Sequence, residues 1–306
     1  MKDPIVLYHA NCLDGLGAAW AARDALGKGA ILLPCQYGQT DPEVLLNRCR
    51  DRDVYVLDFS FPVGLMEAIQ SVAKRLVWID HHETSIERIG PFFEVGPTTT
   101  LVLAEDKCGA LLTWEYFNPG TPAPPLLRIL DDYDRFTFKM GGTLAINLAL
   151  KAMGDALDTD VLGALIDGEE VQLGILAARG GPLADDLMRR KDDVIKTAAM
   201  PLLLVLPDGE EVQGLAANCF HDLANWVGHD LALASESFGA TYYMDKEGKL
   251  RFSLRSDGAV NCAKAAEAFG GGGHQKAAGF SVWPGEVLQT EEGPAAICLA
   301  APGAND

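Results

Sequence analysis

Basic residues are scarce in this 306-residue chain: 25 Lys and Arg stand against 43 Asp and Glu, a formal net charge of −18. A protein that grips long nucleic acid needs a basic stripe, because neutralising phosphates supplies most of the affinity. The densest cationic cluster is Arg189-Arg190-Lys191, on a helical pattern. Long nucleic acid is therefore not expected as the main partner, whereas a small anionic ligand held by a few cations and metal ions is compatible with the charge. The acidic excess taken alone means solubility first. No apolar run approaches the roughly 18 residues that a bilayer span needs, so no membrane partner is expected. The opening MKDPIVLYHANC meets Asp3 and Pro4 at once and lacks the pattern of a secretory leader. The seven cysteines are odd in number, scattered and without a C-x-x-C pair. That argues against a disulfide framework and a structural zinc site and fits a reducing cytoplasm.

What is present reads as an ordinary globular chain, 48% apolar and 22% charged, long enough for two cores. The first part alternates apolar runs at 5–9, 30–33, 54–58 and 76–79 with helical patterns at 15–26, 42–50 and 62–73, the last two opening on Pro42 and Pro62. Strands that are apolar throughout suit a mainly parallel sheet covered on both faces. The expected fold is α/β, a doubly wound domain over 1–140. A helical connector is expected over 141–200, broken at Gly141-Gly142 and Gly180-Gly181-Pro182. A second, smaller α/β domain is expected over 201–285, with strands at 202–206, 231–236, 241–244 and 250–254. Lys246-Glu247-Gly248 reads as a hairpin turn, and 261–269 as a helix capped by Asn261. A flexible tail is expected over 286–306.

In an open α/β sheet, ligands bind at the carboxyl ends of the strands. The first strand ends at His9, followed by Asn11, Cys12 and Asp14; the third ends at Asp58; the fourth ends at Asp80-His81-His82. A further acidic group, Asp131-Asp132-Tyr133-Asp134, follows a helical stretch. Any one of these Asp residues reads first as a cap or turn former, and a His pair as surface or core. Together His9, Asp14, Asp58, His81 and Asp132 point to metal, because carboxylates packed that closely resist ionising unless cations sit among them. Oxygen ligands mixed with imidazole suit manganese, iron or zinc better than calcium. A carboxylate shared between two such ions gives a site that activates water for phosphoryl displacement.

In the second domain Gly270 to His274 (GGGGH) lets a ligand approach the backbone closely. In the preceding LRFSLR, Arg251, Ser253 and Arg255 share one face, where an Arg can fork onto phosphate or carboxylate. A Gly-rich turn beside an exposed basic strand explains these residues equally well.

The ordered series HANCLDG at 9–15, VLD at 56–58, IDHH at 79–82, DDYDRF at 131–136, and FSLR followed by GGGGHQKAAGF resembles the DHH phosphoesterases with a C-terminal DHH-associated domain. It is most similar to the nanoRNase branch of that RecJ-like exonuclease group. The resemblance implies two divalent metal ions, manganese foremost. It implies that Asp58 bridges them, that His9 ligates the first, and that His81, Asp14 and Asp132 ligate the second. By the same resemblance His82 sits against the scissile phosphate and Asp80 orients the imidazoles. Arg255, Gly272, Gly273 and His274, with Ser253 as a weaker candidate, hold the substrate from the second domain. One position departs from the family pattern: Cys12 stands where a second Asp is usual. It is either a thiolate ligand or a small buried residue.

The function implied is hydrolysis of short oligonucleotides or linear dinucleotides to mononucleotides by two-metal water activation, in the cytoplasm, with a homodimer as an allowed assembly. The alternatives are a phosphomonoesterase or polyphosphatase acting on a small nucleotide such as 3′-phosphoadenosine 5′-phosphate, and a nucleotide-binding sensor with a degraded metal site.

Overall fold

A computed structural model describes residues 2–39, 41–83, 85–93, 95–206, 209–290 and 293–297. The chain divides into two compact units, Met1–Ala184 and Asp185–Asp306. In the first, β1 (Ile5–His9), α1 (Leu13–Leu26), β2 (Ile31–Cys35), α2 (Pro42–Cys49), β3 (Asp53–Leu57), α3 (Val63–Val72) and β4 (Arg75–Asp80) alternate as expected. A fifth strand, β5 (Thr99–Leu103), was not legible in the sequence. The five strands are all parallel in the order β2-β1-β3-β4-β5. That is a doubly wound order whose direction reverses between β1 and β3, the place where such sheets bind ligands. Apolar clusters cover both faces: Leu7, Val56, Met66 and Trp78 belong to one, Val6, Ala18, Leu57 and Ile79 to the other.

The unit continues through α4 (Gly109–Phe117), α5 (Pro125–Asp134), α6 (Thr143–Ala152), α7 (Thr159–Asp167) and the first half of α8 (Glu169–Ala198), which runs past the unit's end at Ala184. Their apolar faces meet α1 in one cluster that includes Trp20, Leu127, Leu130, Ile146, Leu150, Leu162 and Leu176. Residues 141–184 therefore extend the first unit's core, where a separate connector was expected. Nor does α8 break at Gly180-Gly181-Pro182; Pro182 lies inside it. The glycine there serves a close approach, since a Cβ on Gly180 would lie 1.7 Å from the carbonyl oxygen of Ala145.

The second unit carries β6 (Met200–Val205), β7 (Glu211–Asn218), α9 (Ala224–Ser235), β8 (Gly239–Met244), β9 (Leu250–Arg255), α10 (Cys262–Glu267), β10 (Gly272–His274) and β11 (Ala277–Val282). Asn261 caps α10 through the Lys264 N–H, and Gly248 turns the β8–β9 hairpin with φ 85°. Two expectations fail here. Residues 231–236, read as a strand, are the last five residues of α9 and its C-cap Glu236: the buried positions Ala224, Val227, Gly228, Leu231 and Ala232 have helical spacing, which a six-residue window hides. And the segment expected as a tail forms β12 (Val287–Thr290) and β13 (Gly293–Ile297). β13 pairs in parallel with β6, so a mixed sheet of eight strands runs β10-β11-β9-β8-β7-β6-β13-β12. The rest of the expected tail, 298–306, lies outside the described residues.

Candidate active site

At the carboxyl ends of β1, β3 and β4 the first unit gathers two groups able to hold a metal ion: His9, Asp58 and His82, and Asp14, Asp58 and His81. Within each group the ligand atoms lie within 4.8 Å of one another. Asp58 belongs to both. It leaves β3 with φ 52°, a left-handed turn that swings its carboxylate across the switch point. Asp58 Oδ1 lies 3.2 Å from His81 Nε2 and Oδ2 lies 3.6 Å from His9 Nδ1. Neither oxygen is aligned with a hydrogen-bond donor, although both are buried, and His9 Nδ1 is likewise unpartnered. Buried polar atoms are ordinarily satisfied. Orphaned oxygens and an orphaned imidazole nitrogen facing one another are what a cation would complete, so the donor set fits divalent metal.

Backbone geometry holds the rest. Asp14 is 2% exposed, and its two oxygens accept the Gly109 and Ala110 N–H groups at 2.7 Å each, at the start of α4. Gly109 is required there, because a Cβ would lie 2.5 Å from that of Asp58. Gly15 is required likewise, since its Cβ would lie 2.1 Å from the His9 carbonyl oxygen. Asp80 accepts the His81 and His82 N–H groups and meets His82 Nδ1 at 2.7 Å. It thus orients one of the two imidazoles, that of His82.

Charge follows from this packing. Burial pushes the Asp14 carboxyl well up, and the neighbouring Asp58 and Asp134 push it further. Burial acts the same way on Asp58, but His81 and His9 more than offset it and hold Asp58 ionised. Burial lowers His81, yet Asp58, Asp14 and Asp134 together raise it to about 9. The Cys12 thiol is pushed far up, by burial first and then by Asp58, Asp14 and Asp134. Without a cation the surroundings favour the thiol over the thiolate, and Cys12 belongs to neither metal-capable group.

The expectation for Asp132 is corrected. Its carboxylate accepts from Thr137 Oγ1, Lys139 N, Met140 N and Thr143 Oγ1 at 2.5 to 2.9 Å, so it ties down the loop after α5. The carboxylate that faces the cluster is Asp134, whose Oδ2 lies 3.6 Å from His81 Nε2. Both come from the same acidic group, and the sequence carried no signal to choose between them.

In the second unit, Arg255, Ala277 and His274 are opposite one another across β9, β11 and β10, and so are Ser253, Gly279 and Gly272. Paired positions share a face, so Arg255, Ser253, Gly272 and His274 lie on one side of the sheet. Gly273 pairs with Ala278 and alternates to the other side. Its φ of 145° and the 2.5 Å that would separate its Cβ from Ala278 Cα make it a packing glycine. Arg255 donates to Ser253 Oγ at 3.1 Å and to Asn225 Oδ1 of α9, a partner with no signal in the sequence. Arg251 is tied to Asp245 and Ser281.

Residues 223–290 match the DHHA1 domain. An uncharacterized protein of Acanthamoeba polyphaga mimivirus is 26% identical over 298 residues, covering 90% of this chain and 67% of that protein. Two solved structures share the fold. The pGpG-specific phosphodiesterase PggH of Vibrio cholerae has a TM-score of 0.53 at 13% identity, covering 93% of this chain and 95% of the other. RecJ of Thermus thermophilus in complex with Mn2+ has a TM-score of 0.51 at 13% identity and covers 92% of this chain. This chain spans half of RecJ's length. Fold and site define a doubly wound α/β unit with a cluster able to hold metal ions at its switch point, followed by a mixed-sheet unit. More narrowly, residues 223–290 form a DHHA1 domain at the C-terminal side of a chain whose fold is shared with these two proteins. No helix among the described residues is long and apolar enough to cross a membrane.

Proposed function

We propose that the chain hydrolyses the phosphodiester of linear dinucleotides and very short oligonucleotides to mononucleotides, using two divalent cations, manganese foremost. The observation that carries this reading is the pair of metal-capable groups sharing Asp58. When bound, the ions would activate a water and neutralise charge on the phosphate. His9 and Asp58 would hold one, with Asp58, Asp14, His81 and Asp134 holding the other. Asp80 fixes His82 through Nδ1, which orients that imidazole beside the reacting phosphate. On the second unit, Arg255 and Ser253, with Gly272 and His274 on the same face, would bind a substrate phosphate; the Asn225 contact pre-orients the guanidinium for it. The small substrate suits a chain with net charge −18, which has no basic stripe for a polymer. Acting on a dinucleotide, as the Vibrio cholerae protein's name states for that protein, supports the same class.

The test is a panel of ribonucleotide 2- to 5-mers incubated with Mn2+ and resolved by product. Mononucleotides are expected from the shortest members. Free phosphate in their place would identify a phosphomonoesterase, and no turnover with any divalent metal would sink the hydrolytic reading.

A further inference from the structure

A cavity of about 740 Å³ opens in the first unit, and Asp14 and Asp134 line part of it, so it adjoins the metal-capable cluster. Its size is that of a small-molecule site, which typically spans roughly 300–1,000 Å³. Much of the remaining lining is apolar or aromatic, from Leu130, Leu150, Leu157 and Tyr133. Asn147, also in the lining, is 1% exposed. Its Nδ2 donates to the Thr143 carbonyl at 2.9 Å and reaches that of Ile129 at 3.5 Å. Both neighbours are acceptors, which fixes the amide's orientation. The other end, Oδ1, is buried and has no hydrogen-bond partner. A buried acceptor left unmade carries its full desolvation cost. Nothing in the metal chemistry uses this residue.

A cavity with an apolar and aromatic part, one buried unpartnered acceptor and polar groups toward the metal-capable cluster has the chemistry of a base pocket. We propose that this cavity is a nucleobase subsite. It takes the base of the nucleotide whose phosphate lies at the Asp58 cluster, the ring packs among Leu130, Leu150, Leu157 and Tyr133, and a ring or exocyclic N–H donates to Asn147 Oδ1. The proposal rests on the hydrolytic reading above only for the identity of the ligand. The subsite itself is a matter of binding and is tested without turnover.

Calorimetric titration of the full chain with AMP, CMP, GMP and UMP, against ribose 5-phosphate as a baseless control, reads the subsite directly. At least one mononucleotide is expected to bind about tenfold or more tightly than the control. Asn147→Leu should reduce that preference by about tenfold, the value of one buried hydrogen bond. Leu157→Trp, which fills the cavity from a half-buried position, should abolish it while leaving ribose 5-phosphate binding in place. Circular dichroism checks both folds, and if Asn147→Leu does not fold, Leu157→Trp decides alone. Mononucleotides that bind no better than ribose 5-phosphate, or a preference that survives Leu157→Trp, overturn the subsite. Base-selective binding without hydrolysis of any oligomer would overturn the catalytic reading and keep the subsite.

Discussion

Both carboxylate oxygens of Asp58 face imidazoles and meet no donor, so no neighbour can replace them if they are removed. Asp58→Ala should therefore lose bound manganese, read by metal analysis after dialysis, together with essentially all hydrolysis; near-normal turnover would mean the centre lies elsewhere. Asp132 and Asp134 separate into two roles that a pair of variants can read. Asp132→Asn keeps the shape but disturbs a carboxylate with four donors. It should cost about 2 kcal/mol in urea unfolding, from weakened charge-assisted bonds, with metal affinity little changed. Asp134→Asn should do the reverse, weakening metal binding and turnover while the unfolding midpoint holds. The opposite pattern would restore Asp132 to the metal set.

At the scale of elements, the site depends on how α4 approaches the end of β3. The first N–H groups of α4 hold Asp14, and Gly109 lets the helix start against Asp58. Gly109→Ala should displace Asp58 by several tenths of an ångström and weaken manganese binding on the order of 10- to 100-fold, as losses behind a metal ligand do, with the helical circular dichroism preserved. Unchanged affinity would show that Asp58 tolerates the shift. Four of the five parallel strands, β1 to β4, were legible because each is a continuous apolar run flanked by turn residues, and so were the helices opening on Pro42 and Pro62. α9 was misread because its last five residues and its cap look like a strand when cut from Val227 and Gly228. α8 was misread because Gly180 next to Pro182 looks like a break, whereas the glycine permits contact with Ala145.

For the whole molecule, the sheet of the second unit reaches past its expected end, with β13 lying on β6. Truncation after Trp283 should expose that edge of β6, lowering the thermal midpoint of the second unit and promoting aggregation; scanning calorimetry with light scattering reads both, and an unaltered transition would show β12 and β13 to be dispensable. The local chemistry of the chain determined much of what it is. Strand ends are set by where apolar runs stop, and those stops carry His9, Asp58 and His81, so three metal-capable side chains could be placed without coordinates. Only the tertiary structure decided which carboxylate of α5 joins them, because two residues along a helix turn about 200° and the packing of that helix picks the face. It alone brought His274 onto the face of Ser253 and Arg255, since cross-strand register is non-local. It alone left Asn147 Oδ1 buried and unpaired beside a cavity, because that depends on which helices meet there.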